Sequence, residues 1–133
     1  MISDEFLKET LNLSITAAGA AGRELLLALS ASDDALHVTS KKDGSLVSDA
    51  DYASDKIITN ILSPLGIPII SEEADIPEFK EREDWPYYFL IDPLDGTESF
   101  LKNRSGFAVN IALCDTTGPI IGVVADPLAN LIY

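Results

Sequence analysis

From Ser3 onward apolar residues recur at helical spacing through Leu7, Leu11, Ile15, Ala18, Ala21, Leu25, Leu26 and Leu29, which predicts one long amphipathic helix. Ser3 followed by Asp4 and Glu5 marks its start, because serine accepts an orphan amide and early acids favour the helix dipole. Gly19 and Gly22 weaken the helix locally and permit close packing. Ala31 to Asp34 ends it, and His37-Val38-Thr39 reads as a short strand. Lys41-Lys42-Asp43-Gly44-Ser45 is a turn on the strength of its Asp-Gly pair. Ser48-Asp49-Ala50-Asp51 has the form of a capping box with Asp in place of Glu. The second helix it opens carries Ile57, Ile58, Ile61 and Leu62 on its apolar face and stops at Ser63-Pro64.

The pattern then shortens. Ile67-Pro68-Ile69-Ile70 reads as a short buried strand that delivers Ser71-Glu72-Glu73, and the acid-rich stretch from Ser71 to Asp84 reads as a solvated loop. Tyr87-Tyr88-Phe89-Leu90-Ile91 is continuously apolar, the mark of a strand covered on both faces. It runs into Asp92-Pro93-Leu94-Asp95-Gly96-Thr97, read as a Pro-containing turn. Phe107 to Leu113 and Pro119 to Ala125 flank Asp115-Thr116-Thr117-Gly118 and form a predicted hairpin. Helices first and strands afterwards indicate an α+β layer arrangement rather than βαβ winding.

Charge changes the picture more than size does. The 133 residues include 9 basic and 22 acidic side chains, a formal net charge of −13. That balance excludes the electrostatic footprint of a nucleic-acid polymer binder and favours cation binding. A single cysteine, Cys114, excludes a disulfide framework and is read as a packed thiol. No apolar run reaches the ~18 residues of a membrane span, and no basic segment leads into an apolar one at the start.

Asp92 and Asp95 flank the proline at the end of a buried strand, and Gly96-Thr97 offers backbone amides where a short helix begins. Carboxylates projected from one tight segment suit hard divalent cations, and the amides with the Thr97 hydroxyl suit phosphate. Together they describe metal-assisted phosphoryl chemistry. The plainer alternatives are that Asp92 and Asp95 cap a turn and a helix, that Glu72-Glu73 is solvated surface, and that Asp51 answers a helix dipole. Aspartates three apart, with Pro93 between them, do not fit the i, i+2 pair of haloacid-dehalogenase-type phosphatases. Position twelve from Asp92 is Asn103, which excludes an EF-hand loop.

Four segments in order resemble one family, the lithium-sensitive, magnesium-dependent phosphatases of the inositol monophosphatase superfamily. They are Lys41 to Asp51, Ser71-Glu72-Glu73, Ile91 to Phe100, and Gly122-Val123-Val124-Ala125-Asp126-Pro127. The Ser-Glu-Glu form, Phe100-Leu101-Lys102 and Phe107 to Leu113 look most like its bacterial 3′(2′),5′-bisphosphate nucleotidases. Leu46 stands where the family has Pro, and Glu98-Ser99 where this branch has Lys-Glu.

The resemblance implies the layered sugar-phosphatase fold, its N-terminal portion having two long helices on a largely antiparallel sheet. It implies that Glu72, Asp92 and the Leu94 carbonyl bind one Mg²⁺ and that Asp92 and Asp95 contribute to a second. Gly96 and Thr97 would contact phosphate, and Thr97, helped by Asp51 or Glu72, would orient the attacking water. The expected substrate is adenosine 3′,5′-bisphosphate, cleaved to AMP and phosphate. An inositol or sugar monophosphatase, or a catalytically inactive cation-binding piece, is the alternative. The expected location is cytoplasmic, with peripheral attachment at the inner membrane and a homodimer left open. The family's C-terminal Trp-Asp motif does not occur here, so residues 1–133 are expected to be the N-terminal part of a longer phosphatase domain.

Overall fold

The structure is a computed structural model and describes residues 1–31, 37–44 and 46–133. The first helix, α1 (Asp4–Ser30), starts where Ser3 Oγ accepts the Phe6 amide at 3.1 Å. Its C-cap is Ala31; the rest of the predicted helix end, and Ser45 of the predicted turn, lie outside the described residues. The buried stripe is Thr10, Ser14, Ala17, Ala18, Ala21, Gly22 and Leu25. Leu11, Ile15 and Leu26, which periodicity assigns to the packed face, are exposed. The helix turns its smaller residues inward because it lies close against α2 (Asp49–Leu62) and the sheet. A Cβ on Gly22 would stand 3.2 Å from the Pro127 ring.

Two short strands, β1 (Val38–Ser40) and β2 (Leu46–Ser48), pair antiparallel before α2. The chain end of α2 continues as a 3-10 turn over Ser63–Leu65, where Pro64 halts the helix. The main sheet runs in the order β3 (Ile69–Ser71), β4 (Tyr87–Asp95), β5 (Ala108–Asp115), β6 (Gly118–Asp126) and β7 (Leu131–Ile132). β3 is parallel to β4 and the later pairs are antiparallel. Helix α3 (Phe79–Arg82) interrupts the acid-rich loop, and α4 (Thr97–Asn103) joins β4 to β5.

The predicted α+β layering is therefore what the chain adopts. The core lies between α1, α2 and one face of the sheet, where Phe89, Ile91, Val109, Ile111, Leu113, Val123 and Ala125 are buried. Cys114 is buried as expected. The other face departs from expectation: Leu90 is 47% exposed, so β4 is covered on one side only. Among the described residues no helix is long and apolar enough to cross a membrane.

Candidate active site

Strand β4 does not end at Ile91 as predicted but continues through Asp92-Pro93-Leu94-Asp95. Asp92 pairs with Asn110 and Asp95 with Ala108, so three steps on β4 face two on β5. This is a bulge, which re-aims side chains and accepts a proline that a regular ladder would reject. Ser54 of α2 donates to the Pro93 carbonyl at 2.6 Å and pins the bulge from the buried side.

The turn into α4 depends on Gly96. Its φ is +83°, and a Cβ there would lie 2.5 Å from the Gly106 carbonyl oxygen, so neither conformation nor space admits another residue. Below it Phe100 meets Phe107 edge to face at 4.9 Å and fixes α4 against the sheet.

Asp51 carries two jobs. One carboxylate oxygen, Oδ2, accepts the Ser48 amide at 2.8 Å and the Ser48 hydroxyl at 2.7 Å, closing the α2 start. The other, Oδ1, accepts the Thr97 hydroxyl at 2.8 Å. The cap expected from sequence and the link to Thr97 coexist in one fully buried side chain. The Leu94 carbonyl lies 3.2 Å from the same Thr97 hydroxyl.

Beside this pair lies a cleft of about 290 Å³ whose walls include Glu72, Asp92, Leu94, Asp95, Gly96 and Thr97. The structure thus brings the proposed metal and phosphate residues to one place, with Asp51 behind Thr97. Among the described residues, however, no three His, Cys, Asp or Glu side chains are gathered tightly enough to hold an ion as they stand.

Asp92 shows the strain of that arrangement. Its Oδ1 is buried without a hydrogen-bond partner. Burial, then the charges of Glu72 and Asp95, push its pKa up to about 7 against an opposing bond from the Leu94 backbone. A half-buried carboxylate crowded by other carboxylates, with an unpaired oxygen, has the donor chemistry of a site for a hard divalent cation. In donor chemistry, though not in spacing as they stand, these residues suit a divalent ion.

Several supports were not legible in the sequence. Glu73, predicted as solvated surface, has a side chain only 2% exposed and is 3.0 Å from Lys41 Nζ. Ser71 Oγ donates to Asp55 and accepts the Glu73 amide at 3.2 Å. Asn110 Nδ2 donates to Asp95 Oδ2 at 3.3 Å. Apart from the local Ser71–Glu73 bond, these links join residues 15 to 32 positions apart, and the one available signal was the clustering of polar residues at strand ends.

The sequence model of the Inositol monophosphatase family matches residues 7–133. A 3′(2′),5′-bisphosphate nucleotidase CysQ of Shigella flexneri is 46% identical over 100 residues, covering 74% of this chain and 40% of that protein. Its counterpart in Escherichia coli K12 is 45% identical over the same shares. Among solved structures, the extragenic suppressor protein suhB of Bartonella henselae superposes with a TM-score of 0.81 at 34% identity, over 92% of this chain and 46% of its own. CysQ of Bacteroides thetaiotaomicron gives 0.79 at 30% identity, over 94% and 45%. The chain thus spans about 40% of the length of these curated relatives.

Proposed function

The chain belongs to the inositol monophosphatase family, and from that premise we propose that its cleft serves a metal-dependent phosphomonoesterase, with adenosine 3′,5′-bisphosphate as substrate and AMP and phosphate as products. The observation that carries this reading is the buried, unpartnered Asp92 Oδ1 between Glu72 and Asp95, beside the Thr97–Asp51 hydrogen bond. Glu72, Asp92, Asp95 and the Leu94 carbonyl would hold Mg²⁺. When bound, the cation supplies charge neutralisation for the phosphate and lowers the pKa of water.

The chain's own residues do the positioning. The Thr97 hydroxyl donates its proton to a hydrogen bond with Asp51, which leaves its oxygen to accept a hydrogen bond from a water aimed at phosphorus; a proton taken from that water is matched by passing the hydroxyl proton to the Asp51 carboxylate. Asp51 cannot swing away, because Ser48 holds its second oxygen. The amides of Gly96 and Thr97 would receive phosphate oxygens, presented by the left-handed turn that Gly96 makes. No side chain here needs to become a covalent nucleophile.

The nucleotide is preferred as substrate because of the likeness to the CysQ nucleotidases. The second reading, an inositol or sugar monophosphatase, is favoured by Glu98, which adds an acid at the rim of the cleft. A small phosphorylated substrate acting in the cytoplasm fits the net charge of −13 better than a nucleic-acid polymer. Residues 1–133 would form the N-terminal part of the phosphatase domain, and a homodimer is left to sedimentation. Phosphate release with Mg²⁺ should be faster from adenosine 3′,5′-bisphosphate than from inositol 1-phosphate and should vanish in Asp92→Asn. A rate that survives chelation overturns the mechanism. Mg²⁺ uptake without any release supports the inactive cation-binding alternative.

A further inference from the structure

Lys41, on the connection between β1 and β2, crosses to the Glu72-Glu73 turn after β3. Its Nζ lies 3.1 Å from Glu73 Oε1, 3.0 Å from Oε2 and 3.4 Å from the Glu72 carbonyl oxygen. The lysine side chain is 29% exposed and the glutamate 2%, so this is a largely desolvated pair. Such a pair holds its geometry more firmly than a surface ion pair, because breaking it strands a buried charge. Both residues line the cleft with Glu72, Asp92 and Asp95, and among the described lining residues Lys41 carries the only positive charge.

The two glutamates therefore have different fates. The Glu72 amide is tied to the Ile91 carbonyl at 3.3 Å, and its exposed side chain is left to face Asp92. Glu73 is turned toward Lys41, with its amide fixed on Ser71 Oγ at 3.2 Å.

Resting on the reading that Glu72, Asp92 and Asp95 hold a divalent cation, we infer that Lys41 is a positioning residue of that site. Its ammonium group keeps the Glu73 carboxylate out of the ion's coordination and offsets one of the cleft's negative charges. Cation affinity is thereby held below what the full set of carboxylates would give.

The test is Mg²⁺ titration of the 133-residue chain by calorimetry in mildly alkaline buffer, with thermal unfolding followed in parallel. Lys41→Met should bind Mg²⁺ roughly fivefold more tightly, the order Coulomb's law gives for removing one nearby positive charge from the surroundings of a dication at high dielectric. Glu73→Gln should weaken binding by roughly the same factor, and the double variant should return to within about twofold of wild type. Opposite signs in the two single variants are the signature, because a merely structural pair would weaken binding in both. Should Lys41→Met fail to fold, Lys41→Gln keeps a donor for Glu73 without the charge and carries the same expectation. Equal weakening in both single variants, or no change in either, overturns the inference. A wild-type chain that takes up no Mg²⁺ overturns the underlying reading first, before any substitution is made.

Discussion

The two faces of the main sheet carry similar residues and meet different surroundings. Under α1 and α2, Phe89, Ile91, Val109, Leu113 and Val123 are 1% exposed or less. On the opposite face Leu90 and Val124, 47% and 40% exposed, line a shallow apolar hollow of about 360 Å³, and Ile120 is 42% exposed. The hollow is bordered by Glu72 and Asp92, so the open face runs directly into the candidate metal site. Apolar residues on both sides of a strand specify two covers, and the described residues supply one of them. The candidate site sits where the covered and uncovered sides meet.

The sharpest way to break the comparison is to remove the same kind of side chain from each face. Leu113→Ala, beneath α1, should cost about 2–5 kcal/mol of unfolding free energy, the range for a buried leucine that leaves a cavity. Urea unfolding followed by circular dichroism measures it, and a cost below about 1 kcal/mol would show that the helix layer is loosely packed.

That asymmetry explains what was legible in advance. The two long helices and the main strands followed from periodicity because each buries a regular face, and Ser3 and Ser48 announced their helix starts through local chemistry; α3, inside the stretch read as a loop, and the short strand β2 did not. The inward stripe of α1 was misassigned because periodicity favours large side chains, whereas Ala17, Ala18, Ala21 and Gly22 are buried by closeness of approach. The bulge at Asp92 was invisible because an extra residue is defined by the partner strand's register and not by the strand itself. The carboxylates of the site could be named singly, but the burial of Glu73 depends on Lys41, 32 residues earlier.

A smaller effect is expected at the boundary itself. With a folded-state pKa of about 7 against an ordinary 3.8, Asp92 keeps a proton in the folded chain that the unfolded chain releases. Stability from this group is therefore fully present below pH 3.8 and is lost as pH rises toward about 7. Solvent screening of a half-exposed group reduces the loss to the order of 1–2 kcal/mol. Asp92→Asn should flatten that part of the stability profile and raise stability at neutral pH. Mg²⁺ should stabilise the wild-type chain there and leave Asp92→Asn largely unmoved, as ligand linkage requires. Identical pH profiles for the two proteins would remove Asp92 from the strained position assigned to it.

The smallest expected effect is the most informative about the open face. Leu90→Ser replaces an apolar side chain that is already 47% exposed and touches the solvent side of β4. In the 133-residue chain it should change stability by no more than about 0.5 kcal/mol, as for an ordinary surface position. If a second copy or further polypeptide covers the hollow, burial of the whole side chain is at stake and the cost rises to about 2 kcal/mol. Measuring Leu90→Ser over a range of protein concentrations separates the cases, because a cover made by a second copy makes the cost grow with concentration. A cost that stays small at every concentration, beside a large one for Leu113→Ala, means that the two faces differ by their cover and not by their residues. The wall of the site next to Asp92 is then open to solvent in the 133-residue chain.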